Sequence, residues 1–259
     1  MEDQYQHLTM ITEEELRSHA QQRHLRLYQQ EKEYLMYLFL YSLSKYNGFV
    51  FKGGTALRIA YKHERFSEYL DFNSTHKPVH IQTQIQNSIA VYHQVGIEVG
   101  FLKEELFQNS YTATLRLKGP LFKGRPDSVN KIRLDIGNRK TYLPKTVFIP
   151  KLFSDVPEFF LDCMSEEEIL VEKIRSLYQR HKARDLYDAF ILVHIYSSPK
   201  KWKTDFVKKC KEEGVVCKGQ PSFISSKSFE NEMKLLVDKV PSYDIVVEKV
   251  GSWIRELVA

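Results

Sequence analysis

Three short stretches carry side chains and backbone suited to phosphate and metal chemistry. The first is Phe51-Lys52-Gly53-Gly54-Thr55-Ala56-Leu57, which reads as a strand, a paired-glycine turn and the opening of a helix. Two glycines let the backbone approach a ligand closely, and a helix start offers N–H groups to an anion. The second is Asp71, within Tyr69-Leu70-Asp71-Phe72. The third is Asp135, within Arg133-Leu134-Asp135-Ile136. Each carboxylate is flanked by apolar residues, where an uncompensated charge is costly. Carboxylates brought together from separate strands repel one another unless a cation such as Mg²⁺ lies between them. Taken singly, the glycine pair also reads as a plain tight turn, and each aspartate as a surface or ion-paired residue. Taken in order, turn then acid then acid, they suit metal-assisted phosphoryl chemistry. The carboxylates would hold Mg²⁺ against a triphosphate that the turn binds.

The elements that must position these residues follow from hydrophobic spacing. Thr12 and Glu15 form a capping-box signature before a helix expected to continue to about Lys45, where Asn47-Gly48 ends it. Phe49-Val50-Phe51 reads as a buried strand, and Thr55 to His63 as a helix. Tyr69 to Phe72 alternates, with Leu70 and Phe72 on one face and Tyr69 and Asp71 on the other. Val79 to Gln94 has helical spacing, whereas Ile97–Leu102, Ser110–Leu117 and Lys131–Ile136 alternate as strands. After Pro150 the pattern turns helical. Ser165-Glu166-Glu167-Glu168 opens a helix to about residue 180; further helices are expected over Ala183–Tyr196, Trp202–Glu213 and, with interruptions, Glu230–Leu257. The expected fold is α+β: a mixed-sheet domain over residues 1–155 with a long N-terminal helix, then a helical-bundle domain over 156–259.

Composition narrows the classes. The 259 residues are 42% hydrophobic and 27% charged, which excludes a collagen-like, disordered or disulfide-framework protein. No apolar run is long enough to span a membrane, and the start MEDQYQHLTM lacks the apolar stretch of a secretory leader. Cys163, Cys210 and Cys217 are too few and too isolated for a zinc site, so reduced thiols in a cytoplasmic protein are expected. The net charge of +5 mildly favours a polyanionic partner. Nine Lys or Arg lie between Arg116 and Lys145, opposed only by Asp127 and Asp135 and interleaved with Phe122 and Tyr142. This stretch suits either an RNA backbone or solvent. A second group, Lys200, Lys201, Lys203, Lys208, Lys209 and Lys211 around Trp202, reads chiefly as a solvated helix face.

The turn–acid–acid order is the layout of the polymerase-β-like nucleotidyltransferases, and further motifs sharpen the likeness. Glu31-Lys32-Glu33-Tyr34, Lys52-Gly53-Gly54-Thr55-Ala56-Leu57, Arg65-Phe66-Ser67-Glu68, Glu167 to Arg175 and Arg184-Asp185-Leu186-Tyr187-Asp188 resemble the AbiEii/AbiGii toxin-type nucleotidyltransferases. The resemblance implies a small nucleotidyltransferase fold joined to a helical bundle. It implies transfer of an NMP from an NTP to an acceptor, tRNA in some members, with Mg²⁺. It also implies a toxin–antitoxin or abortive-infection setting, with a cognate antitoxin for some members. Carried over residue by residue, Gly53, Gly54 and Thr55 would bind phosphate, and Arg65 and Ser67 would order the metal strand or the phosphates. Asp71 and Asp135 would bind metal. Lys173 would meet the nucleotide phosphates, and Arg184, Asp185 and Asp188 would form the last motif, with Asp185 counted among the catalytic residues. On its own helix Lys173 equally suits an ordinary pair with Glu168 or Glu172. Asp185 and Asp188 equally suit a contact with their helix's dipole.

One position departs from the family pattern. After Arg-Phe-Ser-Glu the family has Asp, an apolar residue and Asp; here the run is Tyr69-Leu70-Asp71. Residues i and i+2 of a strand share a face, so Tyr69 replaces one of two carboxylates aimed at metal. The phenol is neutral at pH 7, and Asn73, on the same face, is neutral too. Three alternatives stay open: a member that binds nucleotide or RNA without catalysis, an engineered inactive form, or an enzyme with a different ligand set.

Overall fold

The computed structural model describes residues 9–259. The start of the chain, where no leader is expected, lies outside the described residues. The fold is α+β and divides into two compact units, Met1–Lys62 with Phe66–Cys163, and His63–Arg65 with Met164–Ala259. Residues 156–163 thus group with the first unit, and the short segment 63–65 with the second.

The first unit is built on a mixed sheet with strand order β3-β4-β5-β2-β1-β7-β6. Its strands are β1 (Phe49–Lys52), β2 (Tyr69–Ser74), β3 (Glu98–Phe107), β4 (Ser110–Lys118), β5 (Asn130–Gly137), β6 (Pro144–Ile149) and β7 (Phe159–Met164). Alternation along the central strands splits the sheet into two chemically distinct faces. Phe51, Leu70, Phe72, Tyr111, Ala113, Leu115, Ile132, Leu134 and Ile136 are buried on one of them. The helices α2 (Leu27–Leu43), α4 (Pro78–Ser88) and α5 (Ala90–Gln94) add Tyr34, Leu38, Ile81, Ile85 and Tyr92 to this core. The Tyr92 hydroxyl donates to the Leu35 carbonyl at 2.8 Å. Intervening residues Lys52, Tyr69, Asp71, Thr112, Thr114, Arg116, Lys131, Arg133 and Asp135 are half-buried or exposed and form the polar face.

The single long N-terminal helix expected from the sequence is two helices, α1 (Glu13–Gln22) and α2. The chain breaks between them at His24, whose φ is +52°. The break lets Arg23 reach the buried Glu33 of α2 with two hydrogen bonds, at 2.8 and 2.9 Å. Thr12 caps α1 as expected, accepting from the Glu15 amide at 3.1 Å. The Glu15 carboxylate, however, accepts from Ser154 N instead of closing the box. Strands β6 and β7 were not foreseen. Their contacts, Thr146 with Asp162 and Phe148 with Phe160, fit an antiparallel ladder.

The second unit is helical: α6 (Glu166–Leu177), α7 (Ala183–Ile195), α8 (Lys203–Glu212), α9 (Ser226–Met233) and α10 (Tyr243–Val258). Ser165 caps α6 by accepting from the Glu168 amide at 3.2 Å, and three acids fill its first turn. In α10, Val246, Val250, Trp253, Ile254 and Leu257 recur at helical spacing and are buried. The stretch expected as one interrupted helix from Glu230 is resolved into α9 and α10. Cys210 and Cys217 form a disulfide with Cα atoms 6.3 Å apart, which corrects the expectation of reduced thiols for this pair. Cys163 is free and buried, and burial pushes its thiol up to about 12. No helix among the described residues is long and apolar enough to cross a membrane.

Candidate active site

Strands β2 and β5 run parallel in a register that makes Asp71 the direct neighbour of Asp135. Direct neighbours on adjacent strands project to the same face, so the two carboxylates stand side by side on the polar face. The register of β1 against β2 adds Lys52 as the other neighbour of Asp71. One rung away, Tyr69 is paired with Arg133, whose guanidinium lies 6.0 Å from the Tyr69 ring centre. Arg133 also reaches the Asp135 carboxylate at 4.0 Å, with both side chains about half exposed (56% and 49%). Asn73, one rung the other way, is buried and donates to the Thr141 hydroxyl at 2.9 Å.

The glycine turn packs directly against this pair. Gly53 has φ +74°, a conformation that L side chains rarely adopt, and opens α3 (Gly53–Ile59). A Cβ at Gly53 would lie 2.8 Å from Oδ2 of Asp71, so the position demands glycine for space as well as for φ. Gly54 and Thr55 are buried. The Thr55 hydroxyl hydrogen-bonds the Ser67 hydroxyl at 2.8 Å and also the Tyr69 carbonyl. Both hydroxyls therefore tie the entry of β2 to the start of α3, fixing where Asp71 sits relative to the turn.

The donor chemistry fits a hard divalent cation. Mg²⁺ is commonly held by one or two carboxylates, its remaining positions going to water and substrate phosphate. Asp71 and Asp135, adjacent on one face, supply such a pair. Among the described residues no group of three or more His, Cys, Asp or Glu is placed to hold a metal.

The remaining site residues from the sequence lie in the second unit and form one buried ionic cluster. Lys173 on α6 contacts Asp185 at 2.9 Å and Asp188 at 2.8 Å on α7. Arg65 grips Asp188 through two hydrogen bonds, at 2.7 and 2.9 Å. Arg180 adds a bond to Asp185 at 2.7 Å. Burial alone would raise the Asp185 and Asp188 carboxyls, but the facing cations outweigh it and hold both below the usual range. Burial likewise opposes the charge on Lys173 and Arg65, and the two aspartates reverse it, pushing both above their ordinary values. Lys173 therefore does not pair with Glu168 or Glu172. Those acids hold Lys209, at 2.7 and 3.0 Å. Lys209 is buried, which corrects its place among the solvated lysines.

The structure thus brings Gly53, Gly54, Thr55, Ser67, Asp71 and Asp135 together in the first unit, and Arg65, Lys173, Asp185 and Asp188 in the second. Arg184 begins α7 beside Asp185 and was foreseen only as part of that motif. Lys52 and Arg133 were missed as neighbours of the carboxylates. For Arg133 the signal is period-2 alternation, two residues before Asp135 on the same strand; Lys52 meets Asp71 only through the pairing of β1 with β2. Glu31 of the first family motif is a structural anchor: buried, it accepts from Leu121 N at 2.8 Å and Asn130 Nδ2 at 2.9 Å.

With this geometry in view, the comparisons are specific. Residues 38–243 match the model of the nucleotidyl transferase AbiEii toxin family of type IV toxin–antitoxin systems. The chain belongs to that family. Its fold is similar to that of MenT4, a nucleotidyltransferase toxin from Mycobacterium tuberculosis, with a TM-score of 0.68 and 19% identity over 95% of this chain and 89% of that one. It is also similar to JHP933 from Helicobacter pylori, with a TM-score of 0.54 and 20% identity over 87% of this chain and 89% of that one. No curated protein matches the chain.

Proposed function

We propose that the protein transfers an NMP from an NTP to an acceptor, with Mg²⁺ held by Asp71 and Asp135. The observation that carries this reading is the register pairing of those two aspartates on adjacent parallel strands. Bound there, Mg²⁺ would neutralise charge on the triphosphate. The chain's own residues do the rest. The Gly53–Gly54 turn lets phosphate oxygens approach the backbone beside Asp71, and Lys52 brings a cation to the same rung. Thr55 and Ser67 act by holding β2 against the turn, and Asn73 completes the polar face. The family motif adds Arg65, Lys173 and Asp185 to the residues on which transfer depends. Their visible work is a charge-compensated cluster that keeps Lys173 cationic. Family membership supports the role of toxin, a cognate antitoxin as partner, tRNA or another RNA as acceptor, and a cytoplasmic site of action where NTP is available.

A second reading rests on Tyr69. Its ring, paired with Arg133, stands where the family pattern has a carboxylate, and it supports a member that binds nucleotide or RNA with impaired catalysis. Label transfer separates the two. The chain and its Tyr69→Asp variant are incubated with each α-labelled NTP, Mg²⁺, total tRNA and protein. Label on an acceptor with the unaltered chain supports transfer and names the acceptor. Label only with Tyr69→Asp supports the impaired reading. No label with either contradicts transfer to any acceptor supplied.

A further inference from the structure

The register puts the basic residues of β4 and β5 on the same face as Asp71 and Asp135. Counting away from the Asp71–Asp135 rung, the next rung is Tyr69–Arg133–Thr114, and the one after is Lys131–Arg116. Successive same-face rungs are about 6.7 Å apart. That step is comparable to the distance between neighbouring phosphates on an extended nucleic-acid strand. Arg116 and Arg133 each expose 56% of their side chains, and their acidic neighbours, Glu98 and Asp135, stand 4.0 Å away. Lys131 is exposed. The neighbour of Arg116 on β3 is Gly100, and a Cβ there would lie 3.3 Å from Nε of Arg116. The guanidinium stem therefore lies across a position with no side chain of its own. Tyr69 is 37% exposed, an aromatic surface at the inner end of this cationic ladder.

We propose that Tyr69, Arg133, Lys131 and Arg116 seat the end of a single-stranded polynucleotide, with its last base stacked on Tyr69 beside Arg133 and its phosphates along the three cations. This rests on Asp71 and Asp135 being the reactive centre, since it makes the seated strand the acceptor. It also gives Tyr69 a use. A carboxylate at that position would repel an approaching phosphate, whereas a phenol ring stacks with any base. Arg is well suited to the neighbouring place because its planar cation both pairs with phosphate and stacks.

The test is fluorescence anisotropy on the full chain with a labelled single-stranded oligoribonucleotide and the same sequence as DNA. It is run in EDTA without NTP, across a salt series. With three cations on phosphates, log affinity should fall with log salt at a slope of about −2. Arg116→Gln with Lys131→Gln should bring the slope to about −0.7 and weaken binding at least about tenfold at low salt. Tyr69→Leu should weaken binding roughly tenfold at an unchanged slope, and Tyr69→Phe should bind as the wild type does. Lys200→Gln with Lys201→Gln, in the second unit, should change nothing. Thermal melts confirm that each variant is folded. Stronger RNA binding would show that the 2′-hydroxyl is read, and equal binding that base and phosphate suffice; both support the seat. No binding by the wild type, an unchanged slope in the Arg116/Lys131 variant, or loss confined to the Lys200/Lys201 variant would overturn it. Oligonucleotide binding without metal-dependent NTP binding would leave the seat standing and overturn the transferase reading alone.

Discussion

The polar face of the sheet and the core of the helical unit both set aspartates beside basic residues, but on different terms. In the core, Arg65, Lys173, Asp185 and Asp188 touch at 2.7–2.9 Å, and every side chain is nearly buried. On the sheet, Arg133 stands 4.0 Å from Asp135, with both side chains half open to solvent. Charges that satisfy one another completely, out of water, have little left to offer a ligand and much to lose if one partner goes. Charges that satisfy one another loosely, at the surface, contribute little to stability and can be redirected to a cation or phosphate. The two regions should therefore respond in opposite ways to loss of an acid.

The largest effect is expected on the sheet. Asp135→Asn should lower label transfer by about 10³-fold or more, equivalent to losing several kcal/mol of transition-state stabilisation. Its unfolding free energy should stay within about 0.5 kcal/mol of the wild type. A large stability loss here would erase the contrast. Next comes the core. Asp188→Ala leaves Arg65 and Lys173 buried with too little negative charge, and denaturant melts should show a loss of about 3–5 kcal/mol. Adding Arg65→Met should recover part of that loss.

Asp155 offers a third environment, a buried acid that bonds a phenol and for which burial outweighs the pull of nearby Lys151. The Tyr34 hydroxyl donates to it at 2.6 Å, while its other oxygen has no hydrogen-bond partner. Burial raises its carboxyl to about 6 despite that hydrogen bond. Because the folded-state value lies above the ordinary one, the protonated form is favoured by folding. That contribution is complete below about pH 4 and is lost as pH rises through about 6. Asp155→Asn should therefore be more stable than the wild type at pH 7.5, by about 2–3 kcal/mol, with the difference closing near pH 4. Thermal melts at the two pH values check this.

A smaller effect is expected at Cys210–Cys217. The bridge closes a short loop next to Lys209, so Cys210→Ser should cost about 2 kcal/mol in the unfolding of the second unit. NTP binding should be unchanged, because neither cysteine is among the residues assigned to the site.

Much of this was legible in the sequence because it depends on local spacing. The alternation of Tyr69 to Phe72 placed Asp71 on the polar face, and the glycine pair marked the turn beside it. The register that makes Asp71 and Asp135 neighbours is non-local, and only the family likeness pointed to it. The helix break at His24 was hidden because the apolar spacing continues across it, whereas the left-handed backbone there carries no glycine or proline. Lys173 was ambiguous because helical spacing ranks partners on its own helix, Glu168 and Glu172. Its actual partners lie on α7, and those acids are claimed by Lys209 from α8. Strand β6 opens on Pro144 and Lys145, and in β7 the exposed Phe160 next to Phe159 disguises the alternation. The disulfide could not be read from a spacing that also suits two free thiols.

The most direct measurement is calorimetric titration of NTP into the wild type and Asp135→Asn, each with Mg²⁺ and with EDTA. Binding by the wild type that requires Mg²⁺, and its loss in Asp135→Asn at an unchanged melting temperature, is the expected result. Equal NTP binding by both proteins in Mg²⁺ would contradict the assignment of Asp71 and Asp135 as the metal-holding pair.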